Sequence, residues 1–483
     1  MRLCLVLAAM TAVAAMAGCR AAPSYQVLAV LPHFGRSHFD VFEPYLRHLA
    51  RRGHQVTVLG RFPLAHPVAN YTDLALQPRA SREVFSLADL EGSWALGDSL
   101  VLARQGLDAC EEVLSSEPAR ELLLSGRTFH LVVHELFDTD CFLGFAHAFR
   151  APHLAVSSSR LMPWGGARFG NPDPAPLPGR TLGERLVDFL ELAAHKSLHR
   201  RAGLARRTSL VLVNTHFSLN GARASQPAVV EVGGIHLRPP SPLPRDLDEL
   251  LSGNRHGAVY FSMGSMIRAD TFPPDKTRAL LDAFSALPQT VLCKWRGDPP
   301  LGAPPNVHFR DWLPQQDVLC HGNVVAFVSH GGLLGTIEAA HCGVPMVVVP
   351  MYGDQPANAR DVVARGMAVR LGYRDITAAS VLRALRAVIN DTRYGESARR
   401  VSRAFRDRPM SPADTAVYWT EYVARHGGAP HLRSAAVDLA WYQYLLLDVA
   451  GALAAAVAAA GWLVRLAVAR LLSACRLRKL KAS

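Results

Sequence analysis

WLPQQDVLCHGNVVAFVSHGGLLGTIEAAHCGVPMVVVPMYGDQPAN, residues 312–358, sets out in order an aromatic residue, a buried strand, a glycine turn, a helix with one carboxylate, a second strand and an acid–amide pair. The apolar run 324–329 reads as a strand ending at His330-Gly331-Gly332, with a helix from Leu334 onward and a second strand at 345–349. Strand, turn, helix and strand in that order belong to a parallel sheet wrapped by helices. Ligands of such sheets lie at the carboxyl ends of the strands.

The same stretch carries a chemistry. Glycine lets a backbone approach a phosphate closely, and the unpaired N–H groups of a helix start favour an anion there. His330 stands where it can donate to the same diphosphate, with Gly332 and Gly335 beside it. Glu338, eight residues on, can accept from two neighbouring ribose hydroxyls. Trp312 offers a flat face for a base, and Gln315 can pair with polar groups of uracil or ribose. Asp354 and Gln355 follow the next strand, where a carboxylate next to an amide suits a polyol. Each residue alone is weak; together they describe a nucleotide-sugar site.

Working outward, the runs 26–31, 55–59, 131–134, 154–157 and 210–214 read as short buried strands, with helices at 39–52 and 141–149. Further strands fall at 258–262 and 290–294. The break is RPPSPLP, residues 238–244, a proline-rich piece that cannot continue either sheet. The expectation is an α/β protein of two open domains whose parallel sheets face a cleft, at 23–237 and 245–440. The chain has 483 residues, 49% of them apolar, enough for two large cores. A net charge of +12 is spread along the chain except at its basic end, which disfavours nucleic acid as a partner. Eight cysteines show no CxxC spacing and are read as buried thiols, with no zinc site or disulfide framework signalled. No metal is expected: Asp138-Thr139-Asp140 spells DxD but the diphosphate already has partners, and the spacing of His321, His330 and His341 matches no ligand pattern.

Both ends speak of a membrane. Residues 1–22 fit a cleaved secretory signal, with a lipoprotein cleavage box at Met16-Ala17-Gly18-Cys19 as the rival. Residues 445–468 are long and apolar enough for a transmembrane helix, bracketed by Trp441, Tyr442, Tyr444 and Trp462. The tail 469–483 is basic, which places it in the cytosol and the body of the chain in the lumen. Its end, KLKAS, has the KxKxx form of an endoplasmic reticulum retrieval signal. The sequons at Asn70 and Asn390 suit a luminal glycoprotein.

The stretch 312–358, with Ser37-His38, FSMGSM at 261–266 and HLRSAAVDLAWYQYLLLD at 431–448, resembles the UDP-glycosyltransferases, and looks most like the membrane-bound insect enzymes. The resemblance implies the GT-B fold, two Rossmann-like domains with the donor held mainly by the second and the acceptor by the first, and a UDP-sugar donor with no other cofactor. It implies that Trp312 stacks on uracil, that Gln315 and Glu338 hold base and ribose, and that Ser265, His330, Gly332 and Gly335 surround the diphosphate. Asp354 and Gln355 then bind the donor sugar. Where many relatives carry Ser or Asn in the phosphate turn, this chain has Leu334 and Gly335, so backbone N–H groups carry more of the contact.

The acceptor hydroxyl needs a base, and the resemblance implies His38, just past the first strand. Nearby His33 is read as a solvated loop histidine. The carboxylate that supports the base should come from the end of the strand 131–134. Asp140 is favoured, with Glu135 and Asp138 as alternatives. The function implied is an inverting, metal-independent transfer of a hexose, glucose above glucuronate, to small lipophilic acceptors in a detoxifying conjugation. A 2-epimerase-like isomerase and a non-catalytic UDP-sugar binder are the competing classes. The loop 157–178 is the expected acceptor wall.

Overall fold

QVLAVL and QVTVLG are both buried at every position after the first, as in strands covered on both faces. They become β1 (Gln26–Leu31) and β2 (Gln55–Gly60) of a seven-stranded sheet completed by β3 (Tyr71–Ala75), β4 (Leu131–Glu135), β5 (His153–Ser157), β6 (Thr208–Val213) and β7 (Val229–Glu231). The order is β3-β2-β1-β4-β5-β6-β7, and every pairing is parallel. Successive residues of β1 serve two cores. Val27, Ala29 and Leu31 pack with Phe39, Phe42 and Leu46 of helix Arg36–Arg51, while Leu28 and Val30 pack with Leu122 and Phe145. The structure is a computed structural model and describes residues 23–77, 95–171, 208–265, 267, 269–444 and 446–482.

A second parallel sheet follows, β8 (Ala258–Ser262), β9 (Thr290–Lys294), β10 (Val307–Arg310), β11 (Val324–Ser329), β12 (Met346–Val348) and β13 (Ala368–Arg370), in the order β10-β9-β8-β11-β12-β13. It too has a core on each face: Val259 and Phe261 point to one, Ala258 and Tyr260 to the other. The chain then returns to the first sheet. Helix Pro412–Arg425 buries Ala416, Val417 and Val423 among Val27 and Phe42, and Tyr45 Oη lies 2.7 Å from Thr420 Oγ1.

The strands expected from apolar runs are all present. β3, β7, β10 and β13 were not anticipated. β3 and β10 are outermost, β7 and β13 close the opposite edges, and their short, mixed sequences show little of the burial that gives central strands their apolar run.

The cysteine reading is corrected. Cys110 pairs with Cys141 and Cys320 with Cys342, while Cys293 is a buried free thiol. Spacings of 31 and 22 residues carry no local signal, because the partners meet only through tertiary packing.

Residues up to Leu432 form one compact unit and Arg433–Ser483 another. The second holds helix Leu447–Ala482, of which Leu447–Ala474, with a mean hydropathy of 1.9, is long and apolar enough to cross a membrane. The signal reading at 1–22, Met266 and the 172–178 part of the expected acceptor wall lie outside the described residues.

Candidate active site

Each sheet reverses its winding once, between β1 and β4 in the first and between β8 and β11 in the second. A crevice opens at such a point because neighbouring connections leave to opposite faces. His38 and Glu135 come from the strand ends at the first switch point. Ser265 and His330 follow the strand ends at the second, where Ser262 and Ser329 are register partners.

His38 sits in the first turn of helix Arg36–Arg51, and its N–H donates to Gly35 O at 3.0 Å. Its Nδ1 lies 2.8 Å from Glu135 Oε1, the last residue of β4, with the two side chains 17% and 7% exposed. Ser158 Oγ stands 2.9 Å from the same nitrogen, and the Ser158 N–H reaches Glu135 Oε1 at 3.4 Å. Burial alone would raise the Glu135 carboxyl, but the His38 charge and hydrogen bond bring it down to about 2. Ionised, Glu135 can only accept, so Nδ1 carries the proton and Nε2 keeps its lone pair. Nε2 has no hydrogen-bond partner among the described residues. For His38 burial works downward, and Glu135, with Asp138 and Asp354 behind it, turns the net shift upward.

Two readings change here. Asp140, favoured as the partner of the base, is taken by Arg168: Nη1 and Nη2 donate to its two oxygens at 2.5 and 2.6 Å. Glu135 ends β4, which pairs in parallel with β1 and so brings that end beside the loop that carries His38, while Asp140 lies further along the following loop with Arg168. His33 is no solvated loop residue. Its ring stacks on His38 with centroids 3.6 Å apart, Phe137 meets both edge-on, and burial together with His38 lowers its pKa to about 3. Asp138 is pushed up to about 7 by burial and by the Glu135 charge.

At the second switch point the His330 ring is wedged between two glycines. A Cβ on Gly264 would stand 2.6 Å from His330 Cε1, and one on Gly332 would collide with Nε2. Gly264 has φ +83°, a conformation that side chains disfavour. Gly332 precedes helix Leu333–Cys342 with no side-chain cap, which leaves the first N–H groups open to a ligand. Burial and the nearby Lys294 lower the His330 pKa to about 4, so at neutral pH it is an uncharged donor. Ser265 is exposed in the turn after Gly264.

Gln315 and Glu338 do meet. Gln315 Nε2 donates to Glu338 Oε2 at 2.5 Å, and Tyr260 Oη donates to Gln315 Oε1 at 3.1 Å. Gly335 leaves room for that amide: a Cβ there would be 3.2 Å from Gln315 Nε2. Burial pushes Glu338 up to about 7 against the pull of Gln315 and Lys294. Trp312 is 72% exposed just before the short helix Gln315–Leu319. Asp354 accepts from Asn358 Nδ2 at 2.9 Å and is raised by burial. Gln355 is buried, and its Oε1 accepts from the N–H groups of Met351 and Tyr352 at 2.9 and 3.3 Å.

Lys294 was not singled out from the sequence. It ends β9, its Nζ donates to Gly264 O at 3.1 Å, and its charge reaches both His330 and Glu338. The rule that sites gather at strand ends would have marked it. Ser158 gave no such sign, being one of three consecutive serines.

The sequence profile of a family described as UDP-glucoronosyl and UDP-glucosyl transferase, UDPGT, matches residues 194–480. The chain belongs to this family. Among its UDPGT relatives, UDP-glycosyltransferase UGT5 of Dactylopius coccus is 38% identical over 469 residues, covering 88% of each chain. UDP-glucosyltransferase 2 of the same insect is 38% identical over 459 residues, again with 88% of each covered. UDP-glucuronosyltransferase 2A2 of Homo sapiens is 42% identical over 259 residues, 53% of this chain and 48% of that protein. Among solved structures, the glycotransferase of kitacinnamycin aligns with a TM-score of 0.60 at 20% identity, over 84% of this chain and all of its own. A UDP-glucosyltransferase from Polygonum tinctorium aligns at 0.59 with 18% identity, over 84% and 99%. The fold is GT-B and the UDPGT chain is a UDP-glycosyltransferase.

Proposed function

We propose that this UDP-glycosyltransferase moves glucose from UDP-glucose to a hydroxyl of small lipophilic acceptors, with inversion and without a metal. The observation that carries the reading is the His38–Glu135 pair at 2.8 Å, with Nε2 unpartnered among the described residues. His38 Nε2 takes the acceptor proton as the acceptor oxygen bonds to the anomeric carbon, and Glu135 stabilises the imidazolium that results. The bond between that carbon and the phosphate oxygen breaks, and UDP leaves with the negative charge. His330 and the N–H groups after Gly332 receive that charge. Trp312, Gln315 and Glu338 hold base and ribose, Ser265 and Gly335 stand beside the diphosphate, and Asp354 holds the sugar hydroxyls. Gln355, its carbonyl already committed to its own loop, serves the sugar through its amide. Domains at 23–237 and 245–440 would supply acceptor and donor sites.

Glucose as the sugar is supported by the UDP-glucosyltransferase among the insect relatives. The apolar helix Leu447–Ala474 and the KxKxx tail support an endoplasmic reticulum membrane protein with a luminal catalytic unit, and two disulfides suit an oxidising compartment. Of the two sequons, Asn390 is the freer acceptor for a glycan, because Asn70 Nδ2 already donates to Ala50 O at 3.2 Å. The test incubates membranes carrying the protein with UDP-glucose, UDP-glucuronate and a phenol and flavonoid panel, reading products by mass. Glucosides are expected; glucuronides alone would overturn the donor, and free glucose epimers without conjugates would overturn the reaction.

A further inference from the structure

An ion pair links the first half of the chain to the helix beside Asp354. Arg160 lies three residues beyond β5 in the first half, and its Nη2 is 3.2 Å from Asp361 Oδ2 in the second, with side chains 12% and 21% exposed. Asn220, also from the first half, places Nδ2 3.4 Å from the same oxygen. Asp361 belongs to helix Gln355–Ala364, which Asp354 immediately precedes. Residues 354, 358 and 361 recur at four and three, so they share one face of that helix. Along this face Asn358 Nδ2 reaches both Asp354 Oδ2, at 2.9 Å, and Gly331 O in the phosphate turn, at 3.1 Å.

The near end of the same segment touches the base. Ser158, two residues before Arg160, contacts His38 Nδ1 and Glu135. Its own backbone is held: Asn214 Nδ2 donates to Ser158 O at 2.9 Å, and Ser157 Oγ to Ser159 O at 3.0 Å. A three-residue strap, 158–160, therefore grips the base at one end and the helix behind Asp354 at the other. The distance between base and sugar governs whether the acceptor oxygen meets the anomeric carbon, and small errors there are expensive.

We propose that Arg160 is a positioning residue for the donor sugar: through Asp361 it holds helix Gln355–Ala364, and with it Asp354, at a fixed distance from His38. The proposal rests on the reading of Asp354 as a sugar-binding residue. Arg160 also bears on Asp354 by charge. Burial raises that carboxyl, while Asn358 on its own helix, Arg160 from the strap and His38 from helix Arg36–Arg51 all pull it down. Without the guanidinium, Asp354 titrates at higher pH.

The experiment compares Arg160→Met, Arg160→Lys, Asp361→Asn and the double variant Arg160→Met/Asp361→Asn in the full membrane-bound chain. Calorimetric Kd for UDP and for UDP-glucose is measured beside kcat and KM. Arg160→Met should weaken UDP-glucose by about tenfold and leave UDP within about twofold, because base, ribose and diphosphate contacts are elsewhere. The acid limb of UDP-glucose binding should move to higher pH, Arg160→Lys should recover part of the loss, and the double variant should be no worse than Arg160→Met. Equal weakening of UDP and UDP-glucose, additive losses, or wild-type values for Arg160→Met would each overturn the proposal. Failure of the underlying reading looks different: the unaltered protein would then bind UDP-glucose no better than UDP, whatever stands at 160.

Discussion

His38 and His330 occupy matching places, each after the carboxyl end of a strand beside its sheet's switch point, yet their surroundings drive them in opposite directions. His38 has a carboxylate at 2.8 Å and is held above its ordinary pKa despite its burial. His330 has a lysine nearby and glycines against its ring, and is lowered to about 4. One imidazole is shifted toward its protonated form, the other toward its neutral form. The difference lies in what each packs against, since burial lowers both.

The largest expected effect breaks the first side of this comparison. His38→Ala should lower kcat by about 100- to 10 000-fold with UDP affinity intact, read by product formation and calorimetry; undiminished turnover would remove His38 from the chemistry. Glu135→Gln comes next. Activity needs neutral His38 and so falls as pH drops through its pKa; without the carboxylate that pKa falls, and the acid limb of kcat/KM should move to lower pH. Asp140→Asn is the control, because it leaves Arg168 with its paired charge gone. It should cost about 3 kcal/mol in denaturant unfolding and leave the acid limb where it was. An acid limb that follows Asp140 instead of Glu135 would reverse the assignment.

The second side breaks more gently. Gly332→Ala places a methyl against His330 Nε2 and should raise KM for the UDP-sugar by roughly tenfold, read by steady-state kinetics. The smallest effect sharpens the comparison. Lys294→Met removes a charge that lowers His330, so the imidazole should titrate nearer its ordinary value in an NMR pH series, while His38 stays put. Unchanged titration at 330 would mean that burial alone keeps it neutral.

Much of this was open to reading in the linear chain. Apolar runs such as 258–262 and 324–329 announce central strands because both their faces are covered, and the order of Trp312, Gln315, His330, Glu338 and Asp354 announces a nucleotide-sugar site. The edge strands β3 and β10 escaped because partial burial leaves no apolar run to see. The carboxylate beside His38 escaped for a different reason: Asp140 is favoured over Glu135 and Asp138 on paper, and only the packing of β4 against β1 brings Glu135 to the imidazole.

The sequence by itself determined the periodicities, and through them two parallel sheets, the terminal apolar helix and the donor signature, because each is written in residues close together along the chain. Tertiary structure decided which acid meets His38, which cysteines pair, that His33 stacks on His38, and that Arg160 reaches across to Asp361. Apart from the His33–His38 stack, which is local, those are contacts between segments tens to hundreds of residues apart. Their energies depend on distances of a few ångströms that no local pattern encodes.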